Sequence, residues 1–144
     1  MLDKKKFYIN GEWVNPHKEN NCEVIDPCNE DPFAVISLGS KVDTDLAVKA
    51  AKTAFKTWKE TSKEERINYL EKLLTIYKKR FREMSEAISL EMGAPKDWST
   101  EAQTASGQTH LEDFILRLKN FKFDKHFDEK SNNHIYYEPI GVCG

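Results

Sequence analysis

The sequence predicts a mixed α/β fold, and three observations carry that prediction. Short β-type runs separated by turn residues open the chain, long stretches with helical apolar periodicity fill its middle, and a run of strand formers closes it. Its 144 residues, 39% hydrophobic and 32% charged, suffice for one domain with a modest core. A formal net charge of −2 gives no surplus of positive charge to hold nucleic acid or an anionic membrane. The longest apolar stretches fall far short of a membrane span. Basic residues near Met1 have no apolar run after them, so a secretory signal is not expected and the cytoplasm is the expected compartment.

The elements follow in order. Phe7-Tyr8-Ile9 and Glu12-Trp13-Val14 flank Asn10-Gly11, two residues that tolerate the positive φ of a tight hairpin turn. A second strand pair runs from Cys22 to Ile25 and from Phe33 to Leu38. The prolines and aspartates of residues 26–32 turn the chain between them. Asp43 is the expected cap of a first helix, whose stripe is Leu46, Ala47, Ala50, Ala51, Ala54, Phe55 and Trp58.

Ser62-x-x-Glu65 is a capping box, and Ile67, Leu70, Leu74, Tyr77, Phe81, Met84 and Ile88 then recur at steps of three and four. They predict the buried face of one helix or of two in tandem. Gly93 and Pro95 stop it near Met92. A third helical stretch begins near Asp97 or Ser99 and reaches about Phe121, with Trp98, Ala102, Ala105, Leu111, Phe114, Ile115 and Leu118 on its apolar side. Gly107 weakens it by about 1 kcal/mol relative to Ala, which predicts a kink or a close packing partner. Residues 122–133 are polar and read as a loop, and His134 to Glu138 read as a strand. The sequence then stops in an apolar run, Ile140 to Gly144, which reads as an interrupted core strand.

Few residues suggest chemistry by themselves. Cys22, Cys28 and Cys143 have neither zinc-site nor disulfide spacing, so free thiols are expected, with Cys143 a small buried hydrophobe. His17, His110, His126 and His134 are scattered without metal-ligand spacing. Lys78 to Arg82 is a short basic run diluted by glutamates, which makes a helical nucleic-acid binder a poor reading. No Gly-x-Gly-x-x-Gly loop and no Walker loop is present.

Several segments nevertheless carry a resemblance. The opening Phe7 to Val14, Val24-Ile25-Asp26-Pro27, the alanine-rich helix from Asp43 to Trp58, Arg66-x-x-x-Leu70, Leu90 to Pro95 and Glu138 to Gly144 occur in the order and spacing of the NAD(P)-dependent aldehyde dehydrogenases. Each match is modest. Together they cover essentially the whole chain, which resembles the family's N-terminal segment up to the point just before its Trp-Asn motif.

The resemblance implies a fold and a division of the chain. Residues 1–120 would begin a Rossmann-like cofactor-binding domain with leading β-hairpins and outer helices. Residues 121–137 would start the bridging sheet used for oligomerisation, and residues 138–144 would return to the cofactor domain, with a strand from Gly141. It also implies a reaction, the oxidation of an aldehyde to a carboxylic acid with NAD or NADP. A cysteine thiolate adds to the aldehyde, a thioester follows hydride transfer, and a glutamate activates the hydrolytic water. All of those groups, with the ribose- and phosphate-binding residues, lie downstream in the family, so no catalytic or cofactor-binding residue carries over and the chain alone is expected to be inactive.

Two binding roles do carry over. The backbone carbonyl of Ile25 and the carboxylate of Glu91 match a monovalent-cation site, and Ser106 matches the wall of the substrate tunnel. A homodimer or homotetramer is the implied assembly. The alternative is a non-catalytic interaction or assembly module that pairs its terminal strand with a partner's sheet.

Overall fold

The computed structural model describes residues 1–128 and 132–144. Five strands come first: β1 (Leu2–Lys4), β2 (Phe7–Ile9), β3 (Glu12–Val14), β4 (Asn21–Ile25) and β5 (Pro32–Ser37). Helices α1 (Lys41–Trp58), α2 (Lys63–Lys79), α3 (Phe81–Met92) and the single turn α4 (Lys96–Trp98) follow. A π-helical segment, Ser99–Thr104, leads directly into α5 (Ala105–Asn120), and β6 (Asp124–His126) and β7 (His134–Tyr136) complete the order. The strands form a three-stranded sheet, β1-β5-β4, and two separate hairpins, β2-β3 and β6-β7.

The first hairpin turns as its sequence requires. Asn10 has φ 54° and Gly11 φ 84°, the left-handed pair that matches the twist of antiparallel strands. Strand β1 was not legible in the sequence. It lies parallel to β5, with Leu2 opposite Ala34 and Lys4 opposite Ile36, and all three of its residues are exposed. Strands β4 and β5 are antiparallel and joined by residues 26–31, which cross-brace themselves. Cys28 N–H donates to the Asp26 carboxylate (2.8 Å), Glu30 N–H to the Asp26 carbonyl (2.8 Å) and Asp26 N–H to the Asp31 carbonyl (2.9 Å).

Helix α1 corrects the expected cap. Ser40, not Asp43, is the N-cap residue, and Asp43 is the third residue of the helix. The Asp43 carboxylate reaches back to accept from Ser40 N–H (2.8 Å) and Ser40 Oγ (2.6 Å). It also accepts from His17 N–H (2.8 Å), which ties the chain beyond the first hairpin to the helix start. Aspartate is a good cap in isolation, but a serine three residues upstream makes a reciprocal box that satisfies more free N–H groups. The box expected at Ser62 and Glu65 is present, with Glu65 N–H to Ser62 Oγ at 3.1 Å and Ser62 N–H to Glu65 Oε2 at 2.8 Å.

The long seam from Ile67 to Ile88 is carried by two helices in tandem. They part at Arg80, where φ −102° and ψ 18° leave the helical region. Helix α3 ends at Gly93, left-handed at φ 67°, as the sequence predicts.

Few apolar side chains are fully buried among the described residues: Ala34, Ile67 and Ile115. Ile115, with half-buried Leu111 and Leu118, lies on the side of α5 that packs on α2. Trp98 and Phe114, read as part of that apolar face, are 61% and 57% exposed, because they sit off the 111-115-118 line. In α1, Ala47, Ala50, Ala51 and Phe55 are half-buried while Leu46 and Trp58 are exposed.

The stretch read as a loop also needs correction. Its residues 124–126 form β6, paired antiparallel with β7, while residues 129–131 lie outside the described residues. Polar composition hid β6, since both faces of a two-stranded ribbon meet water and the pattern lacks apolar alternation. No strand is present in residues 138–144, where one was expected from Gly141, and Ile140 is 95% exposed.

Hydrogen bonds from Ser40 and His17 hold the Asp43 carboxyl down from 3.8 to about 2. A group whose acid form is disfavoured by folding lends stability above its unfolded pKa and loses it as pH falls through the folded value. The melting temperature of the chain should therefore drop between about pH 4 and pH 2. Asp43→Asn should lower it at neutral pH and flatten that part of the profile. An unchanged acid limb in the variant would assign the acid loss to other carboxylates.

Candidate functional site

The least accessible part of the molecule is polar. Ser99 and Thr104, at the two ends of the π-helical segment, are both 0% exposed. Ser85 Oγ on α3 lies 2.9 Å from Ser99 Oγ and 2.6 Å from Thr100 Oγ1, and Ser89 Oγ donates to Ser99 Oγ at 2.9 Å. Ser99 Oγ then donates to the Lys96 carbonyl at 2.9 Å. Across the wide π turn, Thr104 Oγ1 donates back to the Ser99 carbonyl at 2.7 Å. From α2, Tyr77 Oη donates to the Thr104 carbonyl at 2.9 Å.

This network positions Ser106 and Gly107. Gly107 faces the Tyr77 ring so closely that a Cβ there would overlap Tyr77 Oη and stand 3.0 Å from Cζ. Of the two explanations its sequence offered, a close partner is the one realised. Ser106, one residue earlier in the first turn of α5, is exposed. Gln103 Oε1, inside the π segment, is buried and has no hydrogen-bond partner.

Ile25 and Glu91 lie on elements that meet. Ile25 ends β4 and is 44% exposed. Its register partner is Pro32, which has no N–H to donate to the Ile25 carbonyl. Glu91 is exposed in the last turn of α3. Immediately beyond it, a Cβ on Gly93 would stand 3.0 Å from Pro27 Cγ and 3.6 Å from Cys28 Sγ, so the β4-β5 turn rests on the end of this helix. Among the described residues no three side chains of His, Cys, Asp or Glu gather as a closed metal site.

The three cysteines form no disulfide. All three are free and exposed. Loss of hydration, then the Asp26 charge, pushes the Cys28 thiol up, away from the thiolate form. Cys143 is corrected from buried to exposed, because the segment around it pairs with no strand among the described residues. The histidines hold a surprise for a reading based on spacing. Hairpin β6-β7 sets His126 directly opposite His134 and brings Asp124 to the same rings. Strand alternation in Asp124-x-His126 and His134-x-Tyr136 was the available signal, and reading residues 122–133 as a loop obscured it.

The chain matches known proteins in sequence and fold. A model of the aldehyde dehydrogenase family matches residues 13–144. The 3-succinoylsemialdehyde-pyridine dehydrogenase of a Pseudomonas species is 36% identical over 145 residues, which take in 100% of this chain and 30% of that protein. An aldehyde dehydrogenase from Bartonella henselae superposes with a TM-score of 0.90 at 50% identity, over 92% of this chain and 28% of that one. Aldehyde dehydrogenase C from Pseudomonas syringae, solved as a mutant with NAD+ and octanal, superposes with a TM-score of 0.83 at 32% identity, over 86% of this chain and 26% of its own. This chain belongs to the aldehyde dehydrogenase family. Its α/β architecture is the N-terminal portion of that fold, and it spans about 30% of the length of the curated relative.

Gly107→Ala sets two opposed effects against each other. Alanine favours the helix by about 1 kcal/mol, and overpacking against a half-buried ring costs about 1–3 kcal/mol. We expect net destabilisation of roughly 1 kcal/mol in denaturant unfolding. Tyr77→Phe removes the obstructing oxygen. In a double-mutant cycle, Gly107→Ala should therefore cost less in the Tyr77→Phe background, and strict additivity would show that the two positions do not press on each other.

Proposed function

We propose that this chain forms the N-terminal section of an oxidoreductase that oxidises an aldehyde to a carboxylic acid with NAD or NADP, through a cysteine thiohemiacetal and thioester. The observation that carries this reading is the family match along residues 13–144, combined with a coverage of only 30% of the curated relative. The division into residues 1–120, 121–137 and 138–144 belongs to the same reading, as do a cytoplasmic setting and a homodimer or homotetramer for the longer protein.

The residues present do not fit a dinucleotide site by themselves. They contain no phosphate-binding glycine loop. The Cys22 and Cys143 thiols meet backbone carbonyls, and the Cys28 thiol is held away from the thiolate form by lost hydration and the Asp26 charge. What the chain supplies in this reading is scaffolding and wall. The hydroxyl network holds the helix bearing Ser106, an exposed side chain suited to line a substrate tunnel. The Ile25 carbonyl and the Glu91 carboxylate supply two oxygens for a monovalent cation, on elements already in contact through Pro27 and Gly93. The second reading, an assembly module, draws on the uncovered apolar run around Ile140.

The purified 144-residue chain, mixed with NAD+ and octanal, should form no NADH. The DNA after the Gly144 codon should continue toward a Trp-Asn motif and a cysteine. NADH formation would overturn the inactivity, and a stop codon combined with one sharp oligomer on gel filtration would favour the module. In the longer protein, Glu91→Gln should abolish any gain in thermal stability from potassium, while Ser106→Leu should lower turnover of octanal relative to a short aldehyde. A potassium response retained by Glu91→Gln, or an unaltered ratio between the two aldehydes, would remove that residue from its role.

A further inference from the structure

We propose that the β6-β7 hairpin carries a two-histidine site for a divalent late transition-metal ion, with His126 and His134 as ligands and Asp124 as the residue that orients one of them.

The argument begins with register. Phe127 N–H donates to the Asn133 carbonyl at 2.8 Å, and Tyr137 N–H to the Phe123 carbonyl at 2.8 Å. Both pairs lie an odd number of residues from the pair His126↔His134. Hydrogen-bonded and non-hydrogen-bonded pairs alternate along an antiparallel ladder, so His126 and His134 form a non-hydrogen-bonded pair. In such pairs the Cα atoms approach to about 4.5 Å and the side chains leave the sheet side by side. The imidazole centroids are accordingly 4.2 Å apart, with their planes inclined by 46°. One ion can bridge two rings so placed after small χ rotations.

The second part is electronic. His134 Nδ1 lies 2.8 Å from Asp124 Oδ1. An ionised carboxylate only accepts, so Nδ1 carries the hydrogen, and the lone pair of the neutral ring is left on Nε2. A carboxylate behind one nitrogen that leaves the other as donor is the arrangement that orients metal-binding histidines and raises their basicity. Tyr136 stacks on the same ring, with centroids 5.6 Å apart and planes within 14°. Three neighbours thus hold His134 while its side chain keeps 29% of its surface exposed. Because the Asp124 carboxylate is spent on Nδ1, the protein offers two nitrogens, and water must complete the shell. Imidazole pairs of this kind suit Ni2+, Cu2+ and Zn2+ over Mg2+ or Ca2+.

Ni2+ is the probe, because the chain also holds three exposed thiols that would compete for softer ions. Substoichiometric Ni2+ added to the full chain should broaden the ring resonances of His126 and His134 before those of His17 and His110, with a dissociation constant readable by calorimetry. His126→Gln should weaken binding at least tenfold, and Asp124→Asn, which keeps both ligands, by about tenfold through loss of orientation. Mg2+ should leave all four rings unchanged. Broadening of His17 or His110 first, or undiminished affinity in His126→Gln, overturns the proposal. The broadening pattern in the unmutated chain decides the matter even if a variant fails to fold.

Discussion

Tyr77 Oη on the Thr104 carbonyl, with the chain of hydroxyls behind it, is the constraint on which the helical half of this molecule depends. It joins four elements at once: α2 through the phenol, the π-helical turn and α5 through the carbonyl, and α3 through Ser85 and Ser89. Each neutral hydrogen bond adds only about 0.5–1.5 kcal/mol net, but leaving a buried partner unmatched costs about 1–3 kcal/mol. The network therefore works chiefly through the penalty for misplacing any member. Apolar packing tolerates small slides between helices, whereas directed bonds of 2.6–2.9 Å between hydroxyls do not.

This explains why a π turn sits where it does. An extra residue in the helix rotates everything after it, so the face presented by Ser99 and Thr100 to α3 differs from the face that Ile115 presents to α2. A regular α-helix through residues 96–120 would offer one stripe to two neighbours that lie in different directions. The widened turn re-aims the stripe, and Thr104 Oγ1 braces it by donating back to the Ser99 carbonyl. Gly107 completes the fit by letting the helix come to rest against the Tyr77 ring.

Much of this was legible one residue at a time. Asn10-Gly11, Ser62-x-x-Glu65 and Gly93 carry local chemistry that needs no tertiary context, and each forms the turn, cap or stop its sequence predicts. Leu111, Ile115 and Leu118 announced the α5 face through spacing alone. What escaped notice depended on distant partners. Strand β1 exists because β5 offers an edge, and Leu2 to Lys4 have no pattern of their own. Serines and threonines at 85, 89, 99, 100 and 104 carry no signal of their own, since nothing in a sequence says that hydroxyls on separate helices will face one another. Asp43 belongs to the cap but not at its first position, because Ser40 three residues upstream completes the reciprocal box. The candidate positions fared similarly: Ile25 and Glu91 came from family resemblance, and only the packing of Gly93 on Pro27 shows that their elements touch.

The division between a polar interior and apolar exterior bears on function. Ser85, Ser99 and Thr104 are buried while Leu46, Leu73, Ile76, Leu116 and Ile140 are open to solvent, the reverse of what burial of apolar surface would favour in a free-standing domain. A directed network specifies where helices sit without consuming their apolar faces, and those faces remain available to other parts of a larger structure. Hydroxyl seams of this kind suit a wall that must hold shape on one side while other surfaces are covered. Under that logic the position of Ser106 is set by bonds made behind it, at Thr104 and Tyr77. Changes at Tyr77 would then shift the Ser106 side of α5 through Thr104 and Gly107, the residues against which Tyr77 rests.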